Sequence, residues 1–122
     1  ATGEDRREAV LALALAVTEA HRGSWLERAP GGWSAVRGQG VFSRGIADAV
    51  GASGESLAIL DLGVEGDWAE RASVQALGLQ TVWCVAVGPD LLYLDTDALP
   101  DGRPERWLPL LEALAAYAAP LI

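Results

Sequence analysis

The hydrophobic positions of this chain fall into short uncharged runs and one longer Ala- and Leu-rich stretch. Thr81 to Val87 (TVWCVAV) is β-branched and aromatic with no charge, and Leu91 to Leu94 is a second apolar run. Short runs of these residue types predict strands, and Gly88, Pro89 and Asp90 between them supply turn chemistry, so the pair reads as a buried antiparallel hairpin. Asp5 to Ala20 is rich in Ala, Leu and Glu and lacks Gly and Pro. Leu11, Leu13, Leu15 and Val17 alternate as in a strand, but length and Ala content favour a helix.

The remaining segments fit between these. Ser24 to Ala29 and Trp33 to Arg37 read as strands around Pro30-Gly31-Gly32, a hairpin-type turn. Gly38-Gln-Gly40 opens a loop, after which Ser43 is placed to cap a helix running to Val50 with Gly51 as its stop. Leu57 to Asp61 is a short apolar strand. A loop with Gly63, Gly66, Asp67 and Trp68 leads to a helical turn over Ala69 to Leu77, and Glu105 to Ala119 is the closing helix. The order predicts an α+β layer sandwich with a central antiparallel sheet, in which the first and last helices cover one face and the shorter helix and loops the other.

The segment Ser73 to Thr96, SVQALGLQTVWCVAVGPDLLYLDT, resembles the strand-turn-strand signature of GAF domains, small sensory modules of signalling proteins. Ser73, Val74, Leu77, Gly78, Leu79, Val82, Cys84, Val85, Leu92, Tyr93, Leu94 and Asp95 fit it. The likeness extends to Glu19-Ala-His-Arg-Gly23 as the end of the first helix, Phe42-Ser-Arg-Gly-Ile46 as the start of the second and Leu108 to Ala119 as the last. It implies a PAS-related fold with a small-molecule pocket between the sheet and the helix and loops of its second face. Candidate ligand-binding residues by that resemblance are Trp33, Arg44, Asp61, Trp68, Ser73 and Trp83. Residue chemistry leaves other roles open: Arg44 could clamp an anion or pair with Asp48 one helical turn on, Trp68 could serve as a lid or pack, and Trp83 sits inside an apolar strand where core packing is the simpler role.

The sequence also departs from the family's specialised members. The Asn-Lys-Phe-Asp-Glu motif of cyclic-nucleotide-binding members cannot occur, since the chain has neither Asn nor Lys. Members that reduce methionine sulfoxide use several cysteines, no cysteine here falls in a loop suited to a bilin, Ala86 replaces a frequent Pro, and the hairpin turn is short. The cofactor is therefore left unknown.

Composition narrows the remaining classes. The chain has 122 residues, 51% of them hydrophobic, with no dividing linker, which suits one domain. It begins Ala-Thr-Gly, and GAF-like modules sit inside larger proteins, so an excised part of a multidomain protein with a fused output domain is expected. Net charge is −8 with scattered arginines, which disfavours direct nucleic-acid or anionic-membrane binding. The Ala, Gly and Arg bias suggests a GC-rich bacterial genome. The apolar run Ala9 to Val17 is nine residues long, short of the roughly 20 a membrane helix needs. One cysteine excludes an internal disulfide and fits a cytoplasmic setting.

Catalytic parts are few. His21 and Cys84 are single, no Walker lysine exists, and Gly38-Gln-Gly40 lacks the spacing of a dinucleotide fingerprint. Asp95, Asp97 and Asp101 lack the spacing of a calcium loop and read as solvated residues before the last helix. The expectation is a non-enzymatic regulatory domain of a bacterial signal-transduction or transcription-control protein that binds a small molecule. The alternative is a ligand-free dimerisation or scaffold module. In both, the small residues Ala9, Ala12, Ala16, Ala113, Ala116 and Ala119 let the terminal helices approach closely in a homodimer.

Overall fold

The computed structural model describes residues 3–38, 40, 42–60, 81–96 and 104–121. Helix α1 (Gly3–Thr18) leads to strands β1 (Arg22–Ala29) and β2 (Gly32–Gly38), helix α2 (Arg44–Ser53) and strands β3 (Leu57–Leu60), β4 (Thr81–Val87) and β5 (Asp90–Thr96). A 3₁₀ turn (Pro104–Trp107), helix α3 (Leu108–Ala118) and a second 3₁₀ turn (Ala119–Leu121) close the chain. The expected helical turn over 69–77 and loop residues Gly63, Gly66, Asp67 and Trp68 lie outside the described residues.

The five strands among the described residues form one antiparallel sheet in the order β2-β1-β5-β4-β3. The predicted hairpin is β4 and β5, paired from Val87↔Asp90 to Thr81↔Thr96. β1 then adds to the free edge of β5, with Ser24 opposite Tyr93 and Leu26 opposite Leu91. This places the strand nearest the N-terminus beside the last strand and makes β5 the centre of the sheet.

Strand periodicity sends alternate residues of β4 and β5 to opposite faces. Trp83, Val85, Val87, Leu92 and Leu94 join Trp25 against Leu11 and Ala14 of α1 and Leu111, Ala115 and Ala118 of α3. Val82, Cys84, Leu91 and Tyr93 join Leu26 on the other face, under Ile46, Ala47 and Val50 of α2. Because both faces are covered, β4 and β5 read as continuous apolar runs instead of alternating ones. No helix among the described residues is long and apolar enough to cross a membrane.

All three helices differ at a boundary from the sequence reading. α1 spans Gly3–Thr18 instead of Asp5 to Ala20, ending at Thr18 because Glu19 takes a left-handed φ of 58°. α2 runs through Gly51 to Ser53, and the left-handed C-terminal residue is Gly54 (φ 73°), whose N–H donates to the Val50 carbonyl at 2.8 Å. Gly51 serves a different purpose: a Cβ there would overlap Cζ2 of Trp33, so the glycine lets the indole of β2 lie against the helix. The closing helix also begins three residues late. Pro109 cannot donate the N–H that a helix from Glu105 would need, so residues 104–107 form a 3₁₀ turn and α3 starts with this proline in its first turn.

Gly51→Ala tests this packing. Alanine raises helix propensity by roughly 1 kcal/mol, yet the overlap with Trp33 should reverse the sign and give a net loss of about 1–3 kcal/mol in urea unfolding. Adding Trp33→Ala should make the effect of Gly51→Ala much smaller than it is alone. Equal cost in both backgrounds would show that Trp33 is not the obstacle.

Candidate functional site

The face beneath α2 carries the polar chemistry. Ser43 precedes the helix in extended conformation and its hydroxyl accepts from the Ile46 N–H at 3.4 Å, a normal cap. Ile46, Ala47 and Val50 then recur at helical spacing and bury against the sheet. The start of α2 is tied down by hydrogen bonds as well as by this packing. The Ser43 N–H donates to the Tyr93 hydroxyl at 3.1 Å, and that hydroxyl donates to Asp95 Oδ2 at 2.7 Å. Asp95 Oδ1 in turn accepts from Arg22 Nε at 2.8 Å.

Asp95 is fully buried, and Arg22 is 29% exposed. A buried carboxylate is tolerated only with charge and hydrogen-bond partners, which Arg22 and Tyr93 supply. Asp95 is thus a sealed structural anion at the end of β5, not the solvated loop residue expected from sequence. Burial first, and then the Asp95 charge beside it, push the Tyr93 phenol well above its ordinary value. Burial alone pushes the Cys84 thiol up as well, which keeps it protonated and unreactive within the fold. Phe42 meets the Tyr93 ring edge-on with centroids 6.2 Å apart. His21 lies near the same end of the sheet: its N–H donates to the Asp95 carbonyl at 3.1 Å and its Nδ1 is 3.0 Å from Thr96 Oγ1.

The β1–β2 hairpin lies along α2 from Arg44 to Gly51. Trp33 lies between two clefts there. One, of about 110 Å³, is lined by Pro30, Gly31, Gly32, Trp33, Arg44 and Asp48. The other, of about 120 Å³, lies where Trp33 and Arg28 meet Gly51, Ala86 and Leu91. The Arg28 guanidinium sits 4.7 Å from the Trp33 ring centroid and donates to the Gly51 carbonyl at 3.1 Å, fixing the indole against the helix. Either cleft would hold a few heavy atoms, far less than the roughly 300 Å³ of a typical ligand pocket.

The structure brings two predicted residues together and separates a third. Trp33 and Arg44 line the same cleft, where Asp48 also sits. Trp83 is on the opposite face, 1% exposed and packed in the core under α1 and α3, so it is removed from the α2 face on which the resemblance put the ligand. Asp61, Trp68 and Ser73 lie outside the described residues. The polar series Arg22, Asp95, Tyr93 and Ser43 was not anticipated. Its sequence signal is the spacing of Tyr93 and Asp95: two polar-tipped residues two apart in an apolar strand must share a face. Among the described residues no cluster of three or more potential metal ligands occurs.

Two outcomes follow from these groups. Asp95→Asn should cost about 2–3 kcal/mol in chemical denaturation, because it leaves Arg22 uncompensated while Arg22 retains partial access to water; a loss below about 0.5 kcal/mol would place the network outside the determinants of stability. The second concerns alkali. Tyr93 and Cys84 have folded-state pKa values raised above their ordinary 10.0 and 9.0, so the fold retains protons that the unfolded chain releases. Their contribution is complete below about pH 9 and declines as pH rises, by about 1.4 kcal/mol per pH unit for each titrating group. The chain has no lysine to blur this range. Urea unfolding between pH 8 and 11 should show a shallower alkaline loss for Cys84→Ala and for Tyr93→Phe than for the wild type; an unchanged slope would refute the assignment.

The fold recurs in solved structures of low sequence similarity. A domain described as belonging to a two-component sensor histidine kinase protein from Sinorhizobium meliloti 1021 superposes with a TM-score of 0.67 at 14% identity, covering 95% of this chain and 88% of that one. The GAF domain region of a protein described as a membrane protein from Geobacter sulfurreducens PCA superposes with a TM-score of 0.59 at 12% identity, covering 96% and 95%. No protein-family model matches the sequence, and no curated protein matches it. The chain has a GAF-like α+β fold.

Proposed function

We propose that this chain is a sensory module of a bacterial signalling protein, which binds a small molecule on its α2 face and passes occupancy to a fused output domain. The supporting observation is the near full-length superposition on a domain described as part of a sensor histidine kinase protein. The ligand region is the α2 face, with Trp33 and Arg44 as its contact residues in the hairpin cleft. Arg44 supplies a charge for an anionic group and Trp33 an apolar edge. A ligand there acts by shifting an existing equilibrium, and only by the difference between its affinities for the two states.

The domain is non-enzymatic and cytoplasmic on this reading. Cys84 is sealed in the core as a thiol, and His21 is engaged at the end of β5 beside Thr96. Nothing in the acidic composition favours nucleic acid or a membrane as a direct partner. Control of transcription is one form the output could take in such a protein.

One observation favours a second, scaffolding role, which is compatible with the first. A wholly apolar groove of about 170 Å³ runs between α1 and α3, lined by Leu13, Ala14, Val17, Leu110, Leu111 and Leu114. Leu13 is 52% and Leu110 47% exposed, and Tyr117 is 72% exposed on α3. This surface suits a homodimer through the terminal helices.

Native mass spectrometry of protein purified from its own host tests both readings in one spectrum. A small molecule retained in the native mass and lost on denaturation supports sensing, and Arg44→Ala together with Trp33→Ala should then lower its occupancy at least several-fold. An unliganded dimer favours the scaffold. In sedimentation, Leu110→Glu should convert a dimer into monomer with the fold intact; a dimer that survives it is built on another surface.

A further inference from the structure

We infer that Arg22, Asp95, Tyr93 and Ser43 form a coupling device that makes the start of α2 and the α1–β1 junction move together. The connection is continuous at the level of atoms. The Ser43 N–H reaches the Tyr93 hydroxyl at 3.1 Å, the hydroxyl reaches Asp95 at 2.7 Å, and Asp95 holds Arg22 at 2.8 Å. Asp95 also grips the junction through its backbone, since its carbonyl accepts the His21 N–H at 3.1 Å. Two adjacent residues, His21 and Arg22, are therefore held by one residue of β5, and that residue is linked to the N-cap of α2 through the Tyr93 phenol.

Three physical features make this series more than packing. It is buried at Ser43, Tyr93 and Asp95, so water does not readily replace a hydrogen bond lost there. It is directional: apolar contacts between α2 and the sheet tolerate small slides, whereas hydrogen bonds of 2.7 to 3.1 Å do not. The junction it reaches is also short. α1 ends at Thr18, whose hydroxyl donates to the Ala14 carbonyl at 2.8 Å, and Glu19 turns the chain with a left-handed φ of 58°. Between that turn and Arg22 lie only Ala20 and His21, so displacement of Arg22 is delivered to the last turn of α1.

The consequence deepens the sensory reading and rests on it for its purpose: displacement of α2 by a bound molecule would be felt at a terminal helix on the opposite face of the sheet. The coupling itself requires no ligand. It can fail while ligand binding stands, and can hold in a protein that binds nothing.

Hydrogen exchange of the 122-residue protein, followed by mass spectrometry of peptides covering residues 19–24 and 43–48, tests it from both ends. Tyr93→Phe removes one oxygen and keeps the ring against Phe42. Both segments should exchange faster, each by about 5-fold or more, the lower end of ordinary coupling between sites. Val50→Ala, buried on the same face but away from Asp95, serves as the control for general loosening and should not single out residues 19–24. Arg22→Gln, at a partly exposed position that tolerates change, perturbs the series from the junction and should accelerate residues 43–48. Acceleration confined to 43–48 in the first variant and to 19–24 in the second overturns the inference, as does an equal response at 19–24 to Val50→Ala. If Tyr93→Phe does not fold, Arg22→Gln decides the matter alone by the same criterion.

Discussion

The structure depends on one constraint, the burial of β5 on both sides. As the third strand of five it is paired along both edges, and its two faces are covered by α1 with α3 and by α2. All seven of its residues are buried. Its side chains have little or no access to bulk water, so its polar ones need protein partners. Asp90 accepts from the Trp25 indole N–H at 2.9 Å and has Arg7 of α1 nearby at 3.8 Å. Asp95 takes Tyr93 and Arg22, and Thr96 takes His21. Apart from Tyr93, which lies in β5 itself, those partners come from α1, β1 and the chain between them, so the demands of the central strand fix where α1 and β1 lie.

Much of this was legible in the sequence, because the strands obey simple rules. The unbroken apolar character of Thr81 to Val87 announced a strand covered on both faces, and Gly88-Pro89 announced its turn. α1 was recognisable from length and Ala content even though its leucines alternate. Ser43 was recognisable as a cap. The points that went astray were those set by tertiary contacts. Gly51 has the local signature of a helix stop, but the indole of Trp33 claims the space where a side chain would stand and the helix continues to Gly54. Trp83 and Trp33 are alike as residues in strands. Only the register, which puts Trp83 opposite Leu94 under the terminal helices and Trp33 opposite Arg28 by α2, separates them.

The site was less legible than the fold for a related reason. Resemblance offered Trp33 and Arg44 as ligand contacts, and the two share a cleft, but the network at Asp95 depends on Arg22, Ser43 and Tyr93, separated by up to 73 residues in sequence. Local composition carries no sign of a partner so distant. It does carry one partial sign: an aspartate two residues from a tyrosine within LLYLD faces the same way and cannot be solvated if the tyrosine is not. Read with the burial implied by its apolar neighbours, Asp95 had to be paired.

α2 is held at its two ends by unlike interactions. Its start hangs on hydrogen bonds to Tyr93, whose geometry is strict. Its last turns lie against Trp33, clamped by Arg28, where contact is broad and mostly apolar or cation–π. The cleft of Trp33, Arg44 and Asp48 lies along the helix between these attachments and draws its walls from both the hairpin and α2. A small molecule wedged there on the sensory reading would press the helix against one yielding support and one unyielding one. The yielding support absorbs displacement by sliding. The unyielding support must either hold or transmit, and what stands behind it is Asp95, in the strand that every other element is built around. On the sensory reading signal and stability draw on the same buried group, so a substitution that weakens transmission at Asp95 also weakens the fold, whereas one at Arg44 can change occupancy and leave the core as it is.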